Sequence, residues 1–243
     1  MSVEASKQHT GLLRLGLIEP ESAVFWSQSL RELEPEEQIQ TAAEEEWFGR
    51  RSQIRLRYLL LNLNARFDVN TQRALRAWNP SKVEDRKLIC HWHLQLSDPL
   101  YRSFTSTHLP ARREAAQPTI DRDAVLQWVN DYTQNRWAPI TALRMASALL
   151  TCLNEVGFGH GLAPIRPLLA PPVSDAALGY LLYLLRESDF TGTLGSNPYL
   201  ASLDLEGDKL RDRLSSVAGV KFARPVESGD LQWEFPDLLN RRH

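Results

Sequence analysis

Apolar positions recur every three to four residues over most of this chain and alternate with polar ones only near its end. That pattern predicts a mainly α-helical protein closed by a β-hairpin. One stretch without Gly or Pro, residues 50–67 (RRSQIRLRYLLLNLNARF), carries the period most clearly. Plotted at roughly 100° per residue, Ile54, Tyr58, Leu61 and Ala65 share one face, and Leu56, Leu60, Leu63 and Phe67 lie nearly opposite. Two polar stripes, Arg55/Asn62/Arg66 and Gln53/Arg57/Asn64, run between them. A surface helix shows one apolar stripe, so two predict a helix sandwiched between neighbours in a bundle. Ser52 is its N-cap.

The residues before position 10 are polar and expected to fray. Pro20 and Pro35 each sit where a helix opens, giving helices over 20–31 and 35–47, the second led by Glu36 and Glu37 at its positive end. A short joint containing Gly49 leads into the 50–67 helix, the outline of a helix-turn-helix. Further helices are predicted over 71–78, 82–96 and 100–107. Residues 114–118 read as a linker, dividing the chain into a helical domain (1–115) and a second, winged-helix-like domain (119–243).

In that second part Asp121 caps a helix bearing Val125, Trp128, Val129 and Tyr132, and another runs over 140–156. Ile165 opens a short strand that its prolines confine to an edge. Ser174 caps the next helix, and 207–217 forms a charged one. Val220, Phe222, Arg224 and Val226 then alternate with polar or small residues, as do Leu231, Trp233 and Phe235. A two-residue loop at Ser228 and Gly229 would pair Phe222 with Phe235, Arg224 with Trp233 and Val226 with Leu231. Helix, strand, helix, helix, hairpin is the element order of a winged helix over 140–236.

Net charge is −2, but residues 1–49 balance at −7, residues 50–115 at +8 and residues 116–243 at −3. A basic middle between acidic flanks is either an internal charge match or a polyanion-binding face. The two cysteines, Cys90 and Cys152, are far apart in helical patterns, which predicts free buried thiols in a reducing compartment. No secretory pattern opens the chain, and no apolar run reaches the ~18 residues of a membrane span, so a cytoplasmic protein without a membrane partner is expected. Cys90, His91 and His93 diverge around their helix and cannot grip one metal ion. The glycine-rich run around His160 follows a helix instead of preceding one, so it presents carbonyls, which repel phosphate. Neither a cofactor nor catalysis is expected, since no nucleophile elbow or paired-metal acidic cluster is present.

Three features, the Arg50, Arg51, Ser52 entry to a helix ending near Arg66, the segment SDPLYRSF (97–104), and a Val156, Gly157, Phe158 helix end leading to LLAPPVSD (168–175), resemble the BrxA family of bacterial BREX phage-defence systems. The resemblance implies a compact, non-enzymatic helical protein that binds double-stranded DNA, with likeness to winged-helix and NusB-type folds, beside other BREX components. It points to Arg51, Ser52 and Arg66. The basic residues add Arg50, Arg55, Arg112 and Arg113, with Lys209, Arg211 and Arg213 as a second candidate surface. Two other readings stand beside it: a NusB-like RNA-binding module, and an interaction scaffold whose acidic N-terminus neutralises the basic middle.

Overall fold

The computed structural model describes residues 3–28, 33–159, 163–217, 220–222 and 231–238. It is mainly helical, as the periodicity predicts, with two small antiparallel sheets. The first helices are α1 (Glu19–Gln28), α2 (Pro35–Glu44), α3 (Gln53–Arg66) and α4 (Val69–Trp78). Ser52 caps α3 by accepting from Arg55 N (3.3 Å), and Asp68 caps α4 by accepting from Thr71 N (2.8 Å).

The sandwich expected for α3 is not formed. Leu56, Leu60, Leu63 and Phe67 are buried, but Ile54 is 84% exposed and Leu61 65% exposed. α3 packs on α2 and on α5 (Val83–Ser97), and its outer face is left to solvent. Arg57 and Asn64 tie it to α2 through Glu36 (2.6 and 2.7 Å) and Gln38 (2.7 Å).

The helix around which the chain is organised is instead α5, buried without interruption from Leu88 to Leu96 and in contact with α1, α3, α9 (Pro139–Val156) and α10 (Asp175–Glu187). Burial on all sides is the mark of a central helix. Polar side chains on such a helix must find partners, and apart from Trp92 Nε1 and Gln95 Oε1 most do. His93 Nδ1 donates to Arg66 O (3.1 Å), which leaves its Nε2 to accept from Tyr180 OH (2.7 Å). Ser202 Oγ donates to Tyr199 O, so it accepts from His91 Nε2 (3.0 Å), and His91 Nδ1 accepts from Tyr101 OH (2.9 Å). Gln95 donates to Thr105 (2.8 Å). Burial holds both imidazoles neutral, lowering His91 to about 3 and His93 to about 4. Cys90 and Cys152 are free and buried, with burial raising each thiol to about 12.

After α5 the chain continues through α6 (Pro99–Ser103), a π-type turn (Phe104–His108) and α7 (Leu109–Arg113). Pro110 lacks the N–H that would extend an ordinary ladder, and the wider turn lies immediately before it. Strand β1 (Thr119–Asp121) then pairs with β2 (Ile165–Pro167), Ile120 opposite Arg166, flanking α8 (Arg122–Thr133) and α9. Gly157, at φ 102°, ends α9. Because α5 packs on α9 and α10, one hydrophobic core continues across residues 114–118, and the linker expected there does not separate two cores. Among the described residues no helix is long and apolar enough to cross a membrane.

The chain ends in α11 (Pro198–Ala201), α12 (Gly207–Leu214) and a hairpin of β3 (Val220–Phe222) and β4 (Leu231–Trp233). The hairpin forms where the alternation places it, but in another register: Val220 pairs with Trp233 and Phe222 with Leu231. The expected loop residues, Ser228 and Gly229, with Arg224 and Val226, lie outside the described residues. The register follows from packing on α10. Trp233 meets the Tyr183 ring edge-on at 4.7 Å and sits under Arg186 at 4.8 Å, while Tyr183 and Arg186 hold the Phe235 backbone beyond the pair. Since β2 joins β1 and not this hairpin, the winged-helix likeness extends to element order and not to a single three-stranded sheet.

The N-terminal residues, expected to fray, are tied down. Val3 bridges Asp189, Ala5 N donates to Leu96 O (2.8 Å), and Glu4 accepts from Tyr199 OH and Thr191 Oγ1, both at 2.7 Å, beside Arg102 at 3.7 Å.

Candidate nucleic-acid interface

The arginines expected to meet phosphate divide into those used by the fold and those left at its surface. Arg66 donates to Gly16 O and Leu17 O (3.2 Å each), clamping the N-terminal segment to α3, and burial lowers its pKa. Arg112 donates twice to Thr119 O (3.1 and 2.8 Å). Arg113 donates to Ser202 O (2.7 Å) and lies over the Phe158 ring, with burial again lowering its pKa. Arg112 and Arg113, expected to be free, are instead brackets across the 114–118 segment. The candidate surface on α12 is neutralised: Lys209 pairs with Asp204 (2.5 Å), Arg211 with Asp208 (2.6 Å), and Arg213 with Asp175 (2.8 Å) and Val173 O.

Ser52 serves as the α3 cap. Arg50, 92% exposed, pairs with Glu46 at 3.1 Å one turn earlier, a surface pair worth little. Arg51 is exposed and donates to Phe48 O (3.2 Å). Arg55 is exposed, its guanidinium 5.9 Å from the centre of the Tyr58 ring. The glycine-rich candidate around His160 lies in part outside the described residues.

Arg55 leads to a surface that sequence reasoning missed. The Tyr58 ring also carries Arg14, at 5.6 Å, so one aromatic ring joins α3 to the N-terminal segment by cation–π contact. Arg14 lines a groove of about 710 Å³ between the turn Gly11–Leu13, the start of α8 and α9, together with Arg122, Arg144 and Ser147. Arg55, Arg14, Arg144 and Arg122 form no ion pair with a carboxylate among the described residues. Beyond Arg122 and Ser147 a second groove, of about 860 Å³, continues along α9 to Arg166 on β2. Three of these arginines stand alone in sequence, outside the +8 segment, and Arg122 lies between two aspartates. The available signal was on α9, where Arg144, Ser147, Thr151 and Asn154 repeat at helical spacing as a polar stripe on an otherwise apolar helix.

Among the described residues no group of three or more His, Cys, Asp or Glu is placed to hold a metal ion. No protein-family model matches the chain, and no curated protein matches it. Among solved structures it is similar to the crystal structure of an uncharacterized protein from Magnetospirillum magneticum, at TM-score 0.64 and 15% identity, over 82% of this chain and 98% of that one. At that identity the likeness shows a shared fold and nothing of function.

Proposed function

We propose that this chain is a non-enzymatic, cytoplasmic, double-stranded DNA-binding accessory protein of the BREX phage-defence type, akin to the BrxA family its sequence resembles. The observation that carries the reading is the track Arg55, Tyr58, Arg14, Arg144, Arg122, in which four guanidiniums lie along one surface without a carboxylate partner among the described residues. Such a surface suits phosphate, which guanidinium meets in bidentate fashion. Among the described residues it offers no element shaped to enter a groove and read bases, so affinity is modest, salt-steep and weakly sequence-dependent. The scaffold reading requires the acidic N-terminus to cover the basic middle. Glu36 and Glu46 do pair with Arg57 and Arg50, yet Arg55 and Arg14 are left out of that match.

Fluorescence anisotropy with duplex DNA across a salt series, competed by single-stranded DNA and by RNA, tests the reading. Each phosphate contact contributes about −0.9 to the slope of log affinity against log salt. Arg14→Glu with Arg144→Glu is expected to flatten that slope by about 2 and to weaken binding on every sequence. Arg211→Glu, already paired with Asp208, is the matched control. Equal affinity of parent and double variant at all salt concentrations would refute the proposal, and stronger competition by RNA would transfer the track to an RNA partner.

A further inference from the structure

The second groove, beyond Arg122, is not needed by the duplex track and has a different make-up. Its arginines come from opposite sides, Arg122 at the start of α8 and Arg166 on β2. Arg166 is half-buried: Nε donates to Ala163 O (3.0 Å), while Nη1 is buried without a hydrogen-bond partner. Nη1 therefore leaves the guanidinium charge uncompensated by any carboxylate or carbonyl among the described residues on that side, and an anion at the exposed edge of the same guanidinium would offset that charge. Between the arginines, Ser147 and Thr151 donate their hydroxyls to Leu143 O and Ser147 O and keep only acceptor capacity outward. Asn154, next along the stripe, makes no side-chain hydrogen bond among the described residues, so its amide offers both a donor and an acceptor. Leu150, Pro164 and Ile165 supply an apolar wall, Ile165 being 61% exposed. Asp121 and Asp123 share the rim; Asp121 accepts from Ala124 N as the α8 cap (2.8 Å). Two carboxylates and two guanidiniums give the groove no net formal charge, so a single phosphate held directly by the guanidiniums is opposed less than a polyphosphate.

We infer that this groove binds a nucleoside monophosphate unit, its phosphate between Arg122 and Arg166, its base on the Ile165 wall and its base edge at Asn154. About 860 Å³ lies within the size range of small-ligand sites. The same chemistry comes from a free mononucleotide or from an unpaired nucleotide at a DNA end. Only the second source rests on the duplex reading, because Arg122 also borders the track.

Isothermal titration of the full chain with dAMP, adenosine and inorganic phosphate tests it, alongside anisotropy with a blunt duplex and the same duplex carrying a short single-stranded overhang. Binding of dAMP is expected to exceed that of adenosine or phosphate by about tenfold or more. Arg166→Met and Asn154→Leu are each expected to weaken dAMP about tenfold while leaving blunt-duplex affinity in place. Asn154→Leu, on a half-exposed helical position, serves if Arg166→Met folds poorly. Preference for the overhang over the blunt end, lost in both variants, assigns the site to DNA ends; dAMP binding without that preference assigns it to free nucleotide. The inference is overturned if dAMP fails to saturate and the overhang gives no advantage, if adenosine or phosphate binds as well as dAMP, or if both variants weaken blunt duplex as much as dAMP. Arg14→Glu with Arg144→Glu separates the two readings, since loss of duplex binding with dAMP binding retained leaves this site standing alone.

Discussion

Acid is expected to destabilise this protein through two rings at its centre. His91 and His93 are fully buried, neutral and engaged at both nitrogens, with pKa values lowered by burial to about 3 and about 4. In the unfolded chain each titrates near 6.5. Above that pH neither state takes up a proton at these rings. As pH falls below 6.5 the unfolded state protonates first, so stability declines until the folded values are reached. Between pH 7 and pH 5 each ring contributes a loss of about 2 kcal/mol, or ~4 kcal/mol for the pair. That is a large share of a typical total of ~5–15 kcal/mol, and for a chain of this size it lowers Tm by roughly 8–16 °C. His108, lowered to about 4 by burial with Arg112 beside it, acts in the same sense but is only half-buried. Asp98, Glu155 and Glu187, raised by burial, act in the opposite sense, so a parent pH profile alone does not isolate the rings. Thermal melts of the parent, His91→Gln and His93→Gln from pH 8 to pH 5 at constant ionic strength do. Each variant is expected to start lower at pH 8 and to lose about 2 kcal/mol less than the parent on acidification to pH 5. Parallel parent and variant profiles would refute the assignment of neutral, buried imidazoles.

Other outcomes follow from single contacts. Glu4→Ala leaves Arg102 in a nearly closed site without its carboxylate and is expected to cost ~2–4 kcal/mol, read by chemical denaturation; an unchanged midpoint would show the N-terminal tie to be ornamental. Arg66→Met removes two carbonyl contacts and is expected to cost ~2–3 kcal/mol with little change in the salt slope of DNA binding, whereas a flattened slope would return Arg66 to the interface. Ile54→Gln and Leu61→Gln, on the open face of α3, are expected to shift stability by no more than ~0.5 kcal/mol; a larger loss would mean that this face is covered.

Element types and most helix positions were legible because caps and periodicity are local. Ser52, Asp121 and Ser174 each cap the helix whose start they mark. The central helix was not, because His91, His93 and Gln95 disguise a fully buried segment as an amphipathic one, and the hydroxyls that satisfy them lie up to 111 positions away. The hairpin's existence followed from alternation, but its register depended on Tyr183 and Arg186, which no pattern within 219–236 contains. The candidate site was the least legible part. A run of arginines stands out in sequence, yet whether each is free is decided by carbonyls and carboxylates elsewhere: Arg112 and Arg113 met carbonyls and Arg211 a carboxylate, while Arg14, Arg122 and Arg144 met neither among the described residues.

The tie between Glu4 and Tyr199 also sets an order of events during synthesis. The two residues are 195 positions apart, so Glu4 is made long before the partner that holds it. At ~5–20 residues per second, roughly 10–40 s pass before Tyr199 follows Glu4. The seat for residues 3–5, made by Leu96, Asp189 and Tyr199, is incomplete until then. His91 waits likewise for Ser202. The nascent chain therefore carries a half-satisfied central helix until Ser202 emerges, and the segment from Asp189 to Ser202 acts as the latch that closes both seats.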